Sequence, residues 1–201
     1  EQYKGYNSDK ELVDAINSPF TKEAAFKILL NTLHAPVYFH LRRLLGNHED
    51  AADATQNTFI QTFTSINSFR FNSKLSTWIF TIATRKGLDL VKKRKLSTSI
   101  DEAMMSLTSD SYFNSDDAAA KLYAAVLTLP PKQRAVFTLK YFEGLDYYSI
   151  SKATGTSVGA LKASYFHAKE KIKPYLISSA YKHEQPFKVP DGFFETQKED
   201  I

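Results

Sequence analysis

Through most of the chain apolar residues recur at steps of three and four, the spacing of helices that each bury one stripe. Ser8 followed by Glu11 has the form of a capping box, and Leu12, Val13 and Ile16 supply the stripe of a short first helix. After Ser18-Pro19, a long second helix is predicted from Ala25, Phe26, Leu29, Leu30, Leu33, Val37, Leu41, Leu44 and Leu45. It should kink at Pro36 and end at Gly46-Asn47. A third helix fits Glu49 to Ile66, with Ala51, Thr55, Thr58, Phe59 and Phe63 inward and Asp50, Asp53, Asn57 and Gln61 on another face. A fourth fits Leu75 to Lys95.

Between Ser97 and Asp117 the pattern lapses: Asp101, Glu102, Asp110, Asp116 and Asp117 stand among Ser and Thr with no Lys or Arg, which reads as a linker. Helical spacing returns from Ala118 to Leu127, breaks at Leu129-Pro130-Pro131 and continues to Gly144. Two helices follow, Asp146 to Ala153 with Ile150 inward, and one capped by Ser157 with Val158, Leu161 and Tyr165 inward. Past Leu176 the chain turns irregular, with Pro186, Pro190 and Gly192. Since no segment has strand period, the expected fold is all-α: two small helical domains, residues 1–96 and 118–176, joined by an acidic linker at 97–117 and followed by a tail at 177–201.

The 201 residues are 43% hydrophobic and 24% charged, the make-up of a soluble globular protein, and the net charge of +4 matters only if it is localised. The absence of cysteine excludes disulfides, thiolate metal sites and thiol nucleophiles, and fits a reducing cytoplasm. His34, His40, His48, His167 and His183 have no HExxH spacing, so neither a metal nor a cofactor is expected. A polar start and the lack of a long apolar run predict neither a leader nor membrane insertion. No nucleophile constellation or phosphate-cradling glycine loop is present, which argues against an enzyme.

The Thr154-Gly155-Thr156 turn between two short helices has the helix-turn-helix layout, although a hairpin that merely packs has the same layout. If the second helix enters a major groove, Ser157, Ala160, Lys162, Ser164 and His167 face the DNA, with Gly159 and Ala163 beside them. Upstream, Arg85, Lys86, Lys92, Lys93, Arg94 and Lys95 set six cations against Asp89 over eleven positions, so the charge excess is local and suited to phosphates. Just before them, Phe69, Phe71 and Trp78 surround Asn72-Ser73-Lys74, and aromatics beside a basic strip suit unstacked bases.

These residues resemble bacterial sigma factors of the sigma-70 class, specifically the small extracytoplasmic-function type with only regions two and four. Asp50 to Phe59 is similar to the acidic region 2.2 motif, and Ser68-Phe69-Arg70 with Leu75 to Ala83 to the region 2.3 signature. Leu129 to Phe137 and Tyr141 to Leu145 are similar to region four. The resemblance implies a transcription initiation factor that binds core RNA polymerase, through the beta-prime clamp helices and the beta flap, and directs it to promoter DNA. It assigns Asp50, Asp53, Gln56 and Asn57 to the polymerase. The minus 10 element falls to Phe69, Arg70, Asn72, Ser73, Lys74, Thr77, Trp78 and the basic residues from Arg85 to Lys95, and the minus 35 element to the helix from Ser157. An anti-sigma factor is a further implied partner. The other readings left open are a stand-alone helix-turn-helix regulator and a sigma-like interaction module.

Several positions depart from the family pattern. Ala52 and Asn57 stand where Glu is usual, Arg85 where Asn is usual, Leu75 where Phe is common, and Ser149, Ser164 and His167 where Glu, Arg and Arg are common. With fewer cations on the recognition helix, promoter choice is expected to lean on the minus 10 block. In the tail, Phe187, Phe193 and Phe194 lie in a Pro/Gly-rich stretch similar to a motif of membrane-linked sigma regulators. They are expected to dock on region two or four, or on a partner.

Overall fold

The computed structural model describes residues 3–94 and 117–180. The linker from residue 95 to 116 and the tail from 181, with Phe187, Phe193 and Phe194, lie outside the described residues. Eight α-helices are present among the described residues: α1 (Asp9–Asn17), α2 (Lys22–Leu45), α3 (His48–Ser65), α4 (Leu75–Arg94), α5 (Asp117–Leu127), α6 (Pro131–Phe137), α7 (Tyr147–Thr154) and α8 (Val158–Ala180). A 3-10 turn, Ile66–Ser68, follows α3, and a π-helical turn, Thr138–Phe142, follows α6. No strand occurs among the described residues; Tyr3 and Tyr6 make one isolated bridge.

Local chemistry sets the helix ends. Ser8 caps α1 by accepting from the Glu11 N–H, while the Glu11 carboxylate accepts from the Asn7 N–H at 2.8 Å, so two otherwise unpaired amides are satisfied. Asn47 caps α3 and Asp146 caps α7 in the same way. Helix α8 continues through Pro174 to Ala180, past the expected end of the second domain at residue 176, so the second helix of the helix-turn-helix is long.

The first block packs α2, α3 and α4 against one another, with α1 on α2 and on the 3-10 turn; in the second block α5, α6 and α7 all pack on α8. Gly87 lets α4 approach α2 closely, since a Cβ there would sit 2.6 Å from Leu44 Cδ2. The inward face of α3 differs from the expected one. Ala51, Ala54, Thr55, Thr58, Phe59 and Thr62 are buried, as is Asp50, while Phe63 is partly exposed, its ring edge-on to Phe26 at 4.9 Å. Burial of Thr55, Thr58 and Thr62 costs little because each hydroxyl donates to the carbonyl four residues earlier.

The two blocks touch. Helix α4 lies against α7 and α6, and α2 against α5, α6 and the π turn, so the buried apolar residues of both blocks form one continuous cluster. Arg134 on α6 is the principal tie. Its guanidinium, 2% exposed, donates to the Leu44 carbonyl at 2.8 Å, the Leu129 carbonyl at 3.1 Å and the Leu127 carbonyl. Burial pushes it down to about 10, so it stays cationic near neutral pH. Nearby, Arg43 on α2 donates to Glu143 at 3.1 Å and lies 4.3 Å over the Phe142 ring. His40 Nδ1 is 3.6 Å from the same carboxylate, and His40 Nε2 is 2.8 Å from Thr84 Oγ1.

Arg134→Met should lower the unfolding free energy by about 3 kcal/mol, because three buried carbonyls lose a charged donor that methionine cannot replace. Urea unfolding of the full chain measures this, with the midpoint falling and the slope unchanged.

Candidate nucleic-acid interface

On α3, Asp53, Gln56 and Asn57 are exposed along one face, where the sequence placed them. Asp50 is not on that face. It is 4% exposed, its carboxylate accepts from Asn47 Nδ2 at 2.6 Å and its N–H donates to Asn47 Oδ1 at 2.7 Å, so it serves the start of the helix. An apolar groove of about 580 Å³ opens beside Gln56, lined by Phe26, Leu30, Phe59, Ile60 and Phe63. Ile60 is 55% exposed. Sequence reading missed Ile60; its place one turn beyond Gln56 is the signal that could have found it.

The loop between the 3-10 turn and α4 carries an aromatic ladder. Phe69 is buried, with its ring centroid 4.8 Å from Phe71 and 5.4 Å from Trp78. Trp78 is half-buried and Phe71 is 46% exposed. Arg70, Asn72 and Lys74 are exposed around it and Ser73 is half-buried. Phe71 is the one non-glycine with positive φ among the described residues, at 55°. A left-handed backbone at a phenylalanine costs about 1–2 kcal/mol, and here it projects a ring outward. Thr77 was expected on this surface, but it is 8% exposed, on the side of α4 that also carries the buried Phe80 and Thr84.

The basic strip divides into separate roles. Lys92 and Lys93 are exposed and Lys86 is half-buried; Lys92 has Asp89 at 3.9 Å, a solvent-screened pair. Arg94 ends α4, while its side chain and all of Lys95 lie outside the described residues. Arg85 instead reaches the second block, donating from Nε to the Ala153 carbonyl at 3.1 Å and from a terminal nitrogen to the Lys152 carbonyl at 2.9 Å. These carbonyls belong to the last turn of α7, where the helix dipole favours a cation.

In the helix-turn-helix, Asp146 accepts from the Ser149 N–H at 2.8 Å, and this bond holds its carboxyl below the usual carboxylate range. Gly155 then reverses the chain at φ 68°. Ser157 accepts from the Ala160 N–H at 3.4 Å, and Leu161 and Tyr165 face inward as expected. Val158, also expected inward, is 38% exposed. Ser157, Ala160, Lys162 and His167 are exposed on α8 and Ser164 is half-buried, so the expected reading face is presented. Phe166, 50% exposed beside it, was not anticipated.

A helical block with an outward aromatic ladder beside a cationic helix packs on a helix-turn-helix block, the two-part arrangement that the sequence resemblance implies. Comparison with known proteins agrees: the model of Sigma-70 region 2 matches residues 29–96, and that of Sigma-70, region 4 matches residues 119–172. The ECF RNA polymerase sigma factor SigW of Bacillus subtilis (strain 168) is 30% identical over 166 residues, covering 76% of this chain and 89% of that protein. The ECF RNA polymerase sigma factor SigE of Mycolicibacterium smegmatis is 30% identical over 147 residues, 70% of this chain and 57% of that protein. Among solved structures, the sigma factor RpoE of Bartonella quintana, in complex with the anti-sigma factor NepR, superposes with a TM-score of 0.61 at 20% identity, over 76% of this chain and 96% of that one. The chain belongs to the extracytoplasmic-function RNA polymerase sigma factors, and is a transcription initiation factor that directs RNA polymerase to promoters. Among the described residues no helix is long and apolar enough to cross a membrane.

The strained loop gives a direct check on backbone against side chain. Phe71→Gly should be more stable than Phe71→Ala by about 1 kcal/mol, since both lose the ring but only glycine adopts a φ of 55° without cost. Thermal melts of the two variants decide it.

Proposed function

We propose that the first block captures the opened minus 10 element while docked on the beta-prime clamp helices, and that the second block reads the minus 35 element and meets the beta flap. The reading rests above all on the ladder of Phe69, Phe71 and Trp78 beside the cations of α4. Base–aromatic stacking recovers about 1–3 kcal/mol per base, enough to offset much of what extruding one base costs. Asp53, Gln56 and Asn57, with the groove bordered by Ile60 and Phe63, offer the clamp helices a polar rim around an apolar centre. Exposed Lys92 and Lys93, about 20 Å along α4 from Trp78, hold phosphates further along the strand. Only Lys162 is cationic among the reading residues of α8, which supports weaker phosphate binding there and promoter choice centred on the first block. The role is non-enzymatic and cytoplasmic, and an anti-sigma factor is a further partner, a class that the Bartonella quintana neighbour binds in its solved complex.

The blocks must part on a promoter. The minus 10 and minus 35 elements lie about 25 base pairs apart, roughly 85 Å at 3.4 Å per step, whereas here α4 rests on α7. Arg85 then exchanges the α7 carbonyls for phosphates.

Reconstituted transcription with core polymerase on a promoter library tests the reading. Trp78→Ala should lower open-complex formation about ten-fold or more with core binding intact, and Gln56→Ala with Ile60→Ala should weaken core binding itself. Sequence-specific duplex binding by the helix-turn-helix block alone, with no start site selected by the full chain, would favour the stand-alone regulator.

A further inference from the structure

We propose that α1 belongs to the promoter-opening apparatus and that Asp9 is its positioning residue, holding the 69–74 loop in the conformation that accepts a base. The inference rests on the reading of that loop given above. Asp9 opens α1, and its Oδ2 accepts from the Leu75 N–H at 2.7 Å, across 66 positions of chain. Leu75 is the first residue of α4, whose leading N–H groups have no acceptor within the helix. The residue before it, Lys74, starts the helical ladder with a carbonyl that accepts from the Trp78 N–H at 3.1 Å, but a lysine side chain cannot accept a hydrogen bond. Asp9 therefore supplies in trans the cap that position 74 lacks, and places a negative charge at the positive end of the helix carrying Trp78.

The other end of the loop meets the same helix. The 3-10 turn leading into Phe69 packs on α1, with Ile66 buried at 1% exposure. Helix α1 thus grips both ends of a six-residue segment, 69–74, whose middle holds Phe71 in the left-handed region. Such a backbone persists only where its surroundings over-determine it. Behind Asp9 stands Tyr3, 1% exposed, whose hydroxyl donates to the Asp9 carboxylate; burial and that carboxylate both keep the phenol protonated. The carboxylate is consequently fixed from behind while it fixes the loop in front. Neither Tyr3 nor Asp9 lies within the matched region 2 segment at residues 29–96.

The test uses the full chain as Asp9→Ala and Asp9→Asn, with Trp78→Ala as the control. Affinity for core polymerase and open-complex formation on a duplex promoter are measured, the latter by fluorescence of 2-aminopurine in the minus 10 non-template strand. Asp9→Ala should lower open-complex formation about ten-fold, the scale of one lost helix cap, with core affinity unchanged. Asp9→Asn, which keeps an acceptor oxygen, should restore most of it. Hydrogen exchange on the free chain should speed up at Leu75 and in the 69–74 loop while α2 and α3 stay protected, a pattern that general unfolding does not give. Parallel loss of core affinity and opening would overturn the proposal, as would unchanged opening in Asp9→Ala beside a defective Trp78→Ala. A silent Trp78→Ala would instead remove the reading of the loop on which the proposal stands.

Discussion

A single cation, Arg134, governs how the rest of this molecule is held. It is buried with no carboxylate among its hydrogen-bond partners, and three main-chain carbonyl dipoles solvate its charge instead. One of these, from Leu44, belongs to the last turn of α2, where the helix dipole itself offers negative charge. The other two come from Leu127, the last residue of α5, and from Leu129 in the turn that follows it. Helix α2 is also the support on which α3 and α4 pack, so the orientation of both helices is referred to the same guanidinium that shapes the second block.

Around that tie the polar groups between the blocks work at their edges. Arg43 pairs with Glu143 while stacking on Phe142, and Arg85 closes the far side on α7. Arg43 and Glu143 are themselves nearly buried, at 11% and 10% exposure, so removing either partner would leave an uncompensated charge, whereas Arg85 is exposed and its carbonyl contacts are worth less. The apolar cluster, Arg134 and the Arg43–Glu143 pair therefore carry the association, while Arg85 fixes its register. Arg85 is the part most easily exchanged for another polar partner.

Much of this was legible in the chain. The caps at Ser8 and Ser157, the apolar stripes of α1 and α2, the Gly155 turn and the order of the family motifs are local features, read from residues a few positions apart. Where reading failed, the deciding interaction was either a matter of helix rotation or lay far away in sequence. On α3 a stripe of Ala and Thr, satisfied by its own backbone, competed with the phenylalanines for the inward face; it won, turning Phe63 outward and Asp50 inward. Thr77 and Val158 reversed for the same reason, since a short window leaves the angle of a helix poorly fixed. The roles of Arg85 and Asp9 depend on partners 66 or more positions away, which no periodicity encodes.

Arg85 shows what a single departure from a family pattern can do. Where asparagine is usual, the arginine finds two carbonyl oxygens of its own helix-turn-helix, set at 2.9 and 3.1 Å much as phosphate oxygens would be. In the proposed reading, where Arg85 meets phosphates, these carbonyls are a surrogate ligand that the chain itself carries. Nucleic acid that claims Arg85 competes with an intramolecular ligand always present at high effective concentration, so the free protein is discounted as a scavenger of non-specific DNA. In the proposed reading that discount ends when the blocks separate on a promoter, and the full complement of cations becomes available there.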